Sequence, residues 1–210
     1  MAHGRPGVTG DGPAWLERDA DPDPLAQFDA WFEQARGAEL PLPEAAALAT
    51  ATPDGAPSVR MVLVKSRDGG DFEFFSNRLS RKGRELAANP RAALLFHWSP
   101  LGRQIRIEGP VREASAERTA AYVATRPWAS RLSALASPQS ETVESRAALE
   151  RAVAELAERH GEELPLPEHW GGYLLRAEVF EFWQQRADRL HDRLRYRCER
   201  GAWAIDRLAP

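Results

Sequence analysis

Two lysines, Lys65 and Lys82, stand out in a chain that otherwise uses arginine for its cations. Lys and Arg together number 28 in 210 residues, and only these two are lysines. A lysine ammonium is a compact, strongly hydrated point charge, and its contact with phosphate is one that arginine does not reproduce fully. Arginine-biased codon usage would give the same composition, so the surrounding residues must decide whether these lysines bind anions.

Both lysines lie in segments that could bind an anion. Arg60 and Lys65 are five positions apart in a predicted strand, so they should point to opposite faces unless a bulge intervenes. Either Arg60 is solvent-exposed and Lys65 ends an edge strand, or the two side chains contact two different anionic groups. Ser80-Arg81-Lys82 begins a predicted helix, where free N–H groups and the helix dipole favour phosphate. A capped surface helix is the alternative there.

A third cationic segment runs from Trp183 to Arg193, where an aromatic strand leads into a loop with several arginines and His191. Planar hydrogen-bonding side chains beside Trp183 suit a flat aromatic ligand with anionic substituents. A solvated loop with a structural histidine is the alternative. The sequence has no glycine-rich nucleotide motif, no histidine spacing typical of a metal site and no Gly-x-Ser-x-Gly, so a bound organic cofactor would carry any demanding chemistry.

Composition limits the class of protein. The net charge is −3 and the pI about 6.0, which argues against nucleic-acid binding. The single cysteine excludes an internal disulfide, and no apolar run is long enough to span a bilayer. We therefore expect a soluble, cytoplasmic protein without a membrane or nucleic-acid partner and without a bound metal.

The pattern of elements predicts one α+β domain at residues 21–210 after a flexible arm at residues 1–20, which is rich in Gly, Pro and charge. Helices are predicted at 24–37, 81–89, 115–125 and 143–160, and the segment 126–142 is predicted to be irregular. Because βαβ alternation is absent, the strands favour an antiparallel barrel with peripheral helices. The predicted strands are 45–52, 58–66, 72–77, 91–98, 103–111, 172–183, 193–198 and 202–207.

Eight segments in one order resemble the pyridoxine/pyridoxamine 5'-phosphate oxidases over about residues 22–210. The resemblance implies an FMN-binding split β-barrel of the Greek-key type, which forms a homodimer with FMN at the subunit interface. The segments are Arg60-Met61-Val62-Leu63-Val64-Lys65, Ser80-Arg81-Lys82-Gly83-Arg84-Glu85-Leu86, Arg103-Gln104, Pro138-Gln139-Ser140, His169-Trp170-Gly171-Gly172, Glu181-Phe182-Trp183-Gln184, Arg189-Leu190-His191-Asp192-Arg193 and the chain end from Trp203 to Pro210.

The resemblance also implies the roles of individual residues. The reaction it implies would remove a hydride from C4' of pyridoxine 5'-phosphate or pyridoxamine 5'-phosphate, with FMN as the acceptor. Dioxygen would then be reduced to hydrogen peroxide, and pyridoxal 5'-phosphate would be the product. Arg189 and His191 would be the catalytic residues and face the pyridine ring. Lys65, Tyr122, Arg126 and Ser130 would bind the substrate phosphate. FMN would be bound by Arg60, Met61, Val62, Leu63, Val64, Lys65, Phe75, Ser76, Arg81, Lys82, Gln104, Gln139, Ser140, Trp183 and Arg193.

Four features depart from the family pattern. The Arg-x-x-Tyr element usual in the N-terminal arm is missing, and Leu42 stands where an acidic residue is usual. Phe75 replaces a common tyrosine, and Gln185-Arg186 replaces a turn that contains glycine. These changes concern the cover over the substrate and the range of substrates rather than the flavin site.

Two alternatives share the barrel. One is a related flavin oxidase of a phenazine-type precursor, and the other is a flavin- or heme-binding protein without turnover. A phenazine precursor carries no phosphate, so the complete set of Lys65, Tyr122, Arg126 and Ser130 favours the phosphorylated B6 vitamers.

Overall fold

The computed structural model describes residues 13–210. Within these residues the chain forms five α-helices and nine β-strands. None of these helices is long and apolar enough to cross a membrane. The helices are α1 (Pro24–Gly37), α2 (Arg81–Ala88), α3 (Ala116–Ala124), α4 (Trp128–Ala136) and α5 (Arg146–His160). The strands are β1 (Ala45–Ala51), β2 (Pro57–Asp68), β3 (Asp71–Asn77), β4 (Arg91–Trp98), β5 (Arg103–Glu113), β6 (Trp170–Arg176), β7 (Val179–Gln184), β8 (Asp192–Glu199) and β9 (Ala202–Arg207).

The strands form one antiparallel sheet that closes on itself in part. Its order is β4-β1-β2-β3-β6-β5-β7-β8-β9, and an additional β4–β5 pairing closes the first six strands into a barrel. Strand β5 pairs with two strands along one edge: its first half pairs with β7, and its end pairs with β6. Strands β7, β8 and β9 extend the sheet beyond the barrel. The predicted α+β antiparallel split barrel is confirmed.

The barrel interior is aromatic and aliphatic because alternate residues of each strand point inward. Leu48, Phe96 and Ile105 on three neighbouring strands are fully buried. Helix α1 begins at the predicted cap, where Asp23 accepts from the Leu25 N–H. It packs against the barrel core, and its Phe28 ring lies 5.3 Å from that of Phe96 in an edge-on contact.

Two predictions about the second half of the chain are wrong. The segment predicted as irregular contains α4, which starts directly after Pro127 and buries Leu132; its serines obscured the helical pattern. The single strand predicted over 172–183 is two strands. The chain changes partners between them, as the Ala177 N–H donates to Gly70 O at 3.0 Å and the Glu178 N–H to Glu108 O at 2.9 Å.

The predicted flexible arm is described only from residue 13, and residues 1–12 lie outside the described part of the chain. Residues 13–20 lie against the barrel. The Trp15 ring is 5.1 Å from Trp31 of α1, and the Trp15 N–H donates to Asp192 Oδ2 at 3.1 Å. Arg207 of β9 pairs with Glu17 at 2.8 Å. These contacts place the segment beside the loop that precedes β8.

Candidate functional site

Strand β2 presents two different faces. The Arg60 side chain lies on the same face as the buried Val62 and Val64, whereas Met61, Leu63 and Lys65 are on the exposed face. The pairing of β2 with β3 shifts between Val64 and Ser66, so Lys65 is the extra residue of a bulge. The alternation of faces nevertheless continues from Arg60 through Lys65, so the expectation that they point to opposite faces is confirmed.

Arg60 is held in a buried polar network around Glu85 of α2. Its Nη1 donates to Thr50 Oγ1 at 2.5 Å, and its Nη2 lies 3.3 Å from Glu85 Oε2. Glu85 also accepts from Ser58 Oγ at 2.5 Å, from Thr50, and from Arg81 Nε at 2.8 Å. Burial opposes ionisation, but these hydrogen bonds outweigh it and lower the pKa of Glu85 to about 2. The carboxylate therefore stays charged and fixes both arginines.

Lys82 is a buried cation whose hydrogen-bond partners among the described residues are all neutral. Its Nζ donates to Ser76 Oγ at 3.0 Å, Ser80 Oγ at 3.2 Å and Gln139 Oε1 at 2.8 Å. The residue is only 8% exposed. Burial, and then the charge of Arg60, lower the pKa of Lys82 to about 8. An anion placed beside this ammonium would compensate the cost of its burial, so the residues present fit a phosphate group.

The helix start supports the same site. Ser80 caps α2 by accepting from the Gly83 N–H at 3.3 Å, as predicted. Gly83 is required here, because a Cβ at this position would lie 2.1 Å from Arg78 O. Lys82 lies in this first turn, where the N–H groups and the positive end of the helix dipole favour an anion in the same way as its ammonium does.

A second group of predicted residues lines a cavity of about 470 Å³. Arg126 and Ser130 line it together with Trp170 and Gln139. Tyr122 lies beside them and stacks on Phe75, with ring centroids 3.8 Å apart and an interplanar angle of 10°. Because Gln139 also binds Lys82, this cavity adjoins the first anion site.

Lys65 is separate from the other predicted phosphate ligands. It lines a different cavity of about 140 Å³, together with Phe28 and Phe32 of α1. Its place on the exposed face of β2 makes its ammonium accessible from outside the chain.

A third group surrounds the loop between β7 and β8. The Trp183 and His191 rings are 4.6 Å apart, and His191 Nδ1 accepts from the Arg186 N–H at 3.0 Å. His191 lines a cavity of about 660 Å³ with residues of the chain end. Burial raises the pKa of Asp192, but the Trp15 N–H and the Arg186 and Arg207 guanidinium groups outweigh it and hold the pKa below its usual value.

The remaining predicted flavin and substrate residues have these positions. Arg193 pairs with Glu181 at 2.8 Å and donates to Ala209 O at 2.7 Å. Gln104 of β5 is opposite Trp183 of β7 in the sheet register. Arg189 and Ser140 are exposed and have positive φ angles of 68° and 75°. These residues therefore lie around β7 and β8, except for Ser140, which directly follows Gln139, the residue that contacts Lys82 and also lines the Arg126 cavity.

Four residues of the site were not predicted from the sequence. Glu85, Thr50 and Ser58 accept hydrogen bonds from Arg60, and Trp170 lies against the Arg126 guanidinium. Glu85 could have been found, because it is four residues after Arg81 on one face of a helix. Thr50 and Ser58 are opposite each other in the predicted hairpin. This polar pair between apolar neighbours was the signal in the sequence that could have indicated their place in the site.

The fold is a split barrel, and the candidate site contains a buried lysine with neutral partners at the start of a helix. Family models match in two places: "Pyridoxamine 5'-phosphate oxidase" over residues 32–160, and "Pyridoxine 5'-phosphate oxidase C-terminal dimerisation region" over residues 170–210. The chain belongs to the pyridoxine/pyridoxamine 5'-phosphate oxidase family, and it contains the dimerisation region of that family.

Curated relatives and one solved structure resemble the chain over nearly its full length. A pyridoxine/pyridoxamine 5'-phosphate oxidase of Bordetella petrii is 54% identical over 196 residues, which is 93% of each chain. One from Paraburkholderia phymatum is 54% identical over 193 residues, or 91% of each chain. The crystal structure of PhzG from Burkholderia lata, in complex with tetrahydrophenazine-1-carboxylic acid, has a TM-score of 0.90 at 34% identity and covers 97% of this chain and 100% of its own.

Proposed function

We propose that this protein is an FMN-dependent oxidase that converts pyridoxine 5'-phosphate or pyridoxamine 5'-phosphate to pyridoxal 5'-phosphate, with dioxygen as acceptor and hydrogen peroxide as product. One observation carries the proposal. Two cationic sites adjoin through Gln139: the buried Lys82 ammonium, and the cavity lined by Arg126 and Ser130. Such a pair suits two phosphorylated molecules held side by side, and the relatives named above carry the same activity in their names.

The first anion site fits the phosphate of FMN. Lys82 and Arg81 would bind it directly, and Arg60 would add charge from the neighbouring strand. FMN, when bound, supplies the hydride acceptor of the reaction. The flavin ring would lie along β2. Its binding site would be completed by the other residues predicted to bind FMN: Met61, Val62, Leu63, Val64, Lys65, Phe75, Ser76, Gln104, Gln139, Ser140, Trp183 and Arg193.

The second site fits the phosphate of the substrate. Arg126 lines this cavity, and its buried Nη1 has no hydrogen-bond partner among the described residues, so the guanidinium keeps an unpaired donor beside the cavity. Tyr122, Ser130 and Lys65 would add further contacts. Arg189 and His191 would face the pyridine ring and hold C4' toward the flavin, which fixes distance and angle for hydride transfer.

A homodimer with FMN at the interface would complete the site. Lys65 and the third group do not line the cavity of Arg126 and Ser130 in this chain. A second subunit could supply them. The exposed face of β2 is apolar at Met61, which is 63% exposed, and at Val59, which is 68% exposed. An apolar strip of this kind beside a cofactor site suits burial against a partner subunit.

The second candidate is oxidation of a phenazine-type precursor. The likeness to PhzG over the whole chain is the observation in its favour. A phenazine precursor carries no phosphate, so Arg126, Ser130 and Lys65 would have no phosphate to bind in such a reaction. A flavin- or heme-binding protein without turnover is the third alternative, and release of peroxide distinguishes it from both oxidases.

Steady-state assays separate these candidates. The FMN-loaded protein would be supplied with pyridoxine 5'-phosphate, pyridoxamine 5'-phosphate, unphosphorylated pyridoxine and a dihydro- or tetrahydrophenazine carboxylic acid. Peroxide and the pyridoxal 5'-phosphate absorbance would be recorded. We expect kcat/KM to be highest for the B6 phosphates and much lower for pyridoxine. Preferential oxidation of the phenazine compound would overturn the assignment, and binding without peroxide would favour a carrier.

A further inference from the structure

The indole of Trp170 lies directly under the guanidinium of Arg126. The Arg126 Cζ is 4.2 Å from the centroid of the Trp170 ring. The Trp170 ring is also nearly parallel to that of Tyr122, with centroids 6.4 Å apart and an interplanar angle of 17°. Tyr122 in turn stacks on Phe75. Arg126 is therefore connected to strand β3 through three aromatic rings.

This arrangement orients Arg126 and leaves its charge available. Its Nη1 is buried without a hydrogen-bond partner among residues 13–210, and burial lowers the pKa of the guanidinium from its usual value. A carboxylate in place of the indole would fix the guanidinium equally well but would neutralise it. A ring face attracts the cation and leaves the N–H groups in the guanidinium plane free to donate.

Arg78 fixes the backbone that carries Trp170. Its Nη1 donates to Trp170 O at 2.6 Å and to Glu168 O at 3.2 Å, and its Nε to Glu113 Oε2 at 3.0 Å. The Arg78 N–H donates to His169 O at 2.7 Å. Gly171 leaves room for this side chain, since a Cβ there would lie 2.8 Å from Arg78 Nε. The start of β6 is thus held by one arginine through three successive residues.

We propose that Trp170, held in place by Arg78, is a positioning residue that orients Arg126 toward the phosphate of the substrate. The inference rests on the proposed function, in which Arg126 binds that phosphate. A long arginine side chain loses rotamer freedom when it binds a ligand, and an arginine already held on a ring loses less. Trp170 therefore contributes to affinity for phosphorylated ligands without contacting them.

Binding of 4'-deoxypyridoxine 5'-phosphate, which lacks the hydroxyl to be oxidised, tests the inference separately from turnover. We expect Trp170→Leu to raise the Kd of the FMN-loaded protein about fivefold, which is the usual strength of a cation–π contact. Trp170→Phe keeps an aromatic face and should change Kd much less. In an Arg126→Ala background the Trp170→Leu effect should vanish, because no guanidinium is left to orient.

Arg78→Met removes the contact with the Trp170 carbonyl and leaves the indole in the chain. It should raise the same Kd, with no further increase when combined with Trp170→Leu. Arg146→Met is the matched control, because it removes an exposed arginine of α5 that pairs with Glu150 at 2.7 Å. If Trp170→Leu does not load FMN, Arg78→Met carries the test.

Three results would overturn the inference. They are an unchanged Kd in both Trp170→Leu and Arg78→Met, an equal effect of Trp170→Leu with and without Arg126, and no binding of the phosphorylated probe to the unaltered protein. Failure of the proposed function would show differently, as tight binding of the probe without oxidation of pyridoxine 5'-phosphate.

Discussion

Lys82→Met tests the flavin-phosphate site, because it keeps much of the apolar stem and removes the ammonium. In the free protein that ammonium is only 8% exposed and bonds to Ser76, Ser80 and Gln139, none of which carries a charge. A hydrogen bond between charged groups contributes about 1.5–3 kcal/mol. The Kd for FMN should therefore rise roughly tenfold to a hundredfold, while the variant saturated with FMN should keep most of its turnover.

The pH dependence of FMN binding gives a second measure of the same contact. The pKa of Lys82 is lowered to about 8 by burial and by the charge of Arg60. Below this pH the ammonium is charged and binds phosphate, and FMN in turn favours the charged form. Affinity should therefore fall as the pH rises through about 8 and beyond. Lys82→Met should show no such fall, because it has no titrating ammonium.

Titration of FMN fluorescence against the apoprotein measures both effects. Arg84→Met is the matched control: it removes a cation from the same helix that is exposed and pairs with Glu141 at 2.7 Å, so FMN affinity should change little. Equal effects of the two substitutions would show that Lys82 acts only through the overall charge of α2. An unchanged Kd in Lys82→Met would refute the assignment of the phosphate site.

Two further predictions concern the substrate. Arg126→Ala should chiefly raise KM for pyridoxine 5'-phosphate, because the phosphate is present in ground and transition states alike. Arg189→Ala should chiefly lower kcat. Steady-state kinetics check both predictions, and the reverse pattern would exchange the roles of the two arginines. His191 Nδ1 accepts the Arg186 N–H, so the neutral ring carries its proton on Nε2. His191→Gln, which retains a donor near that atom, should therefore keep more kcat than His191→Asn, and equal loss would count against the tautomer.

The alternation of apolar residues and the turn residues were sufficient to predict most of the barrel. Helix α1 and strand β4 have the predicted bounds, and strand β9 does also. Helix α4 was missed because it is only nine residues long, follows a proline directly and contains two serines. The division of 172–183 into β6 and β7 depends on pairing with Gly70 and Glu108. Such distant partners leave no periodic trace in the sequence.

The site was predictable to the extent that its chemistry is local. The capped helix start at Ser80 and the opposite faces of Arg60 and Lys65 follow from short-range rules, and the structure confirms both. The network around Glu85 is assembled from two strands and a helix, so only the folded chain reveals it. The contact of Trp170 with Arg126 likewise joins residues that are 44 positions apart in the chain.

Product formation by the FMN-loaded protein is the decisive measurement for the proposed oxidase activity. The protein would be mixed with pyridoxine 5'-phosphate in air, and pyridoxal 5'-phosphate and hydrogen peroxide would be quantified together. We expect equal amounts of the two products, formed in many turnovers per chain and dependent on bound FMN. Absence of pyridoxal 5'-phosphate from protein that has retained FMN, with or without oxidation of a phenazine precursor, would contradict the proposed activity.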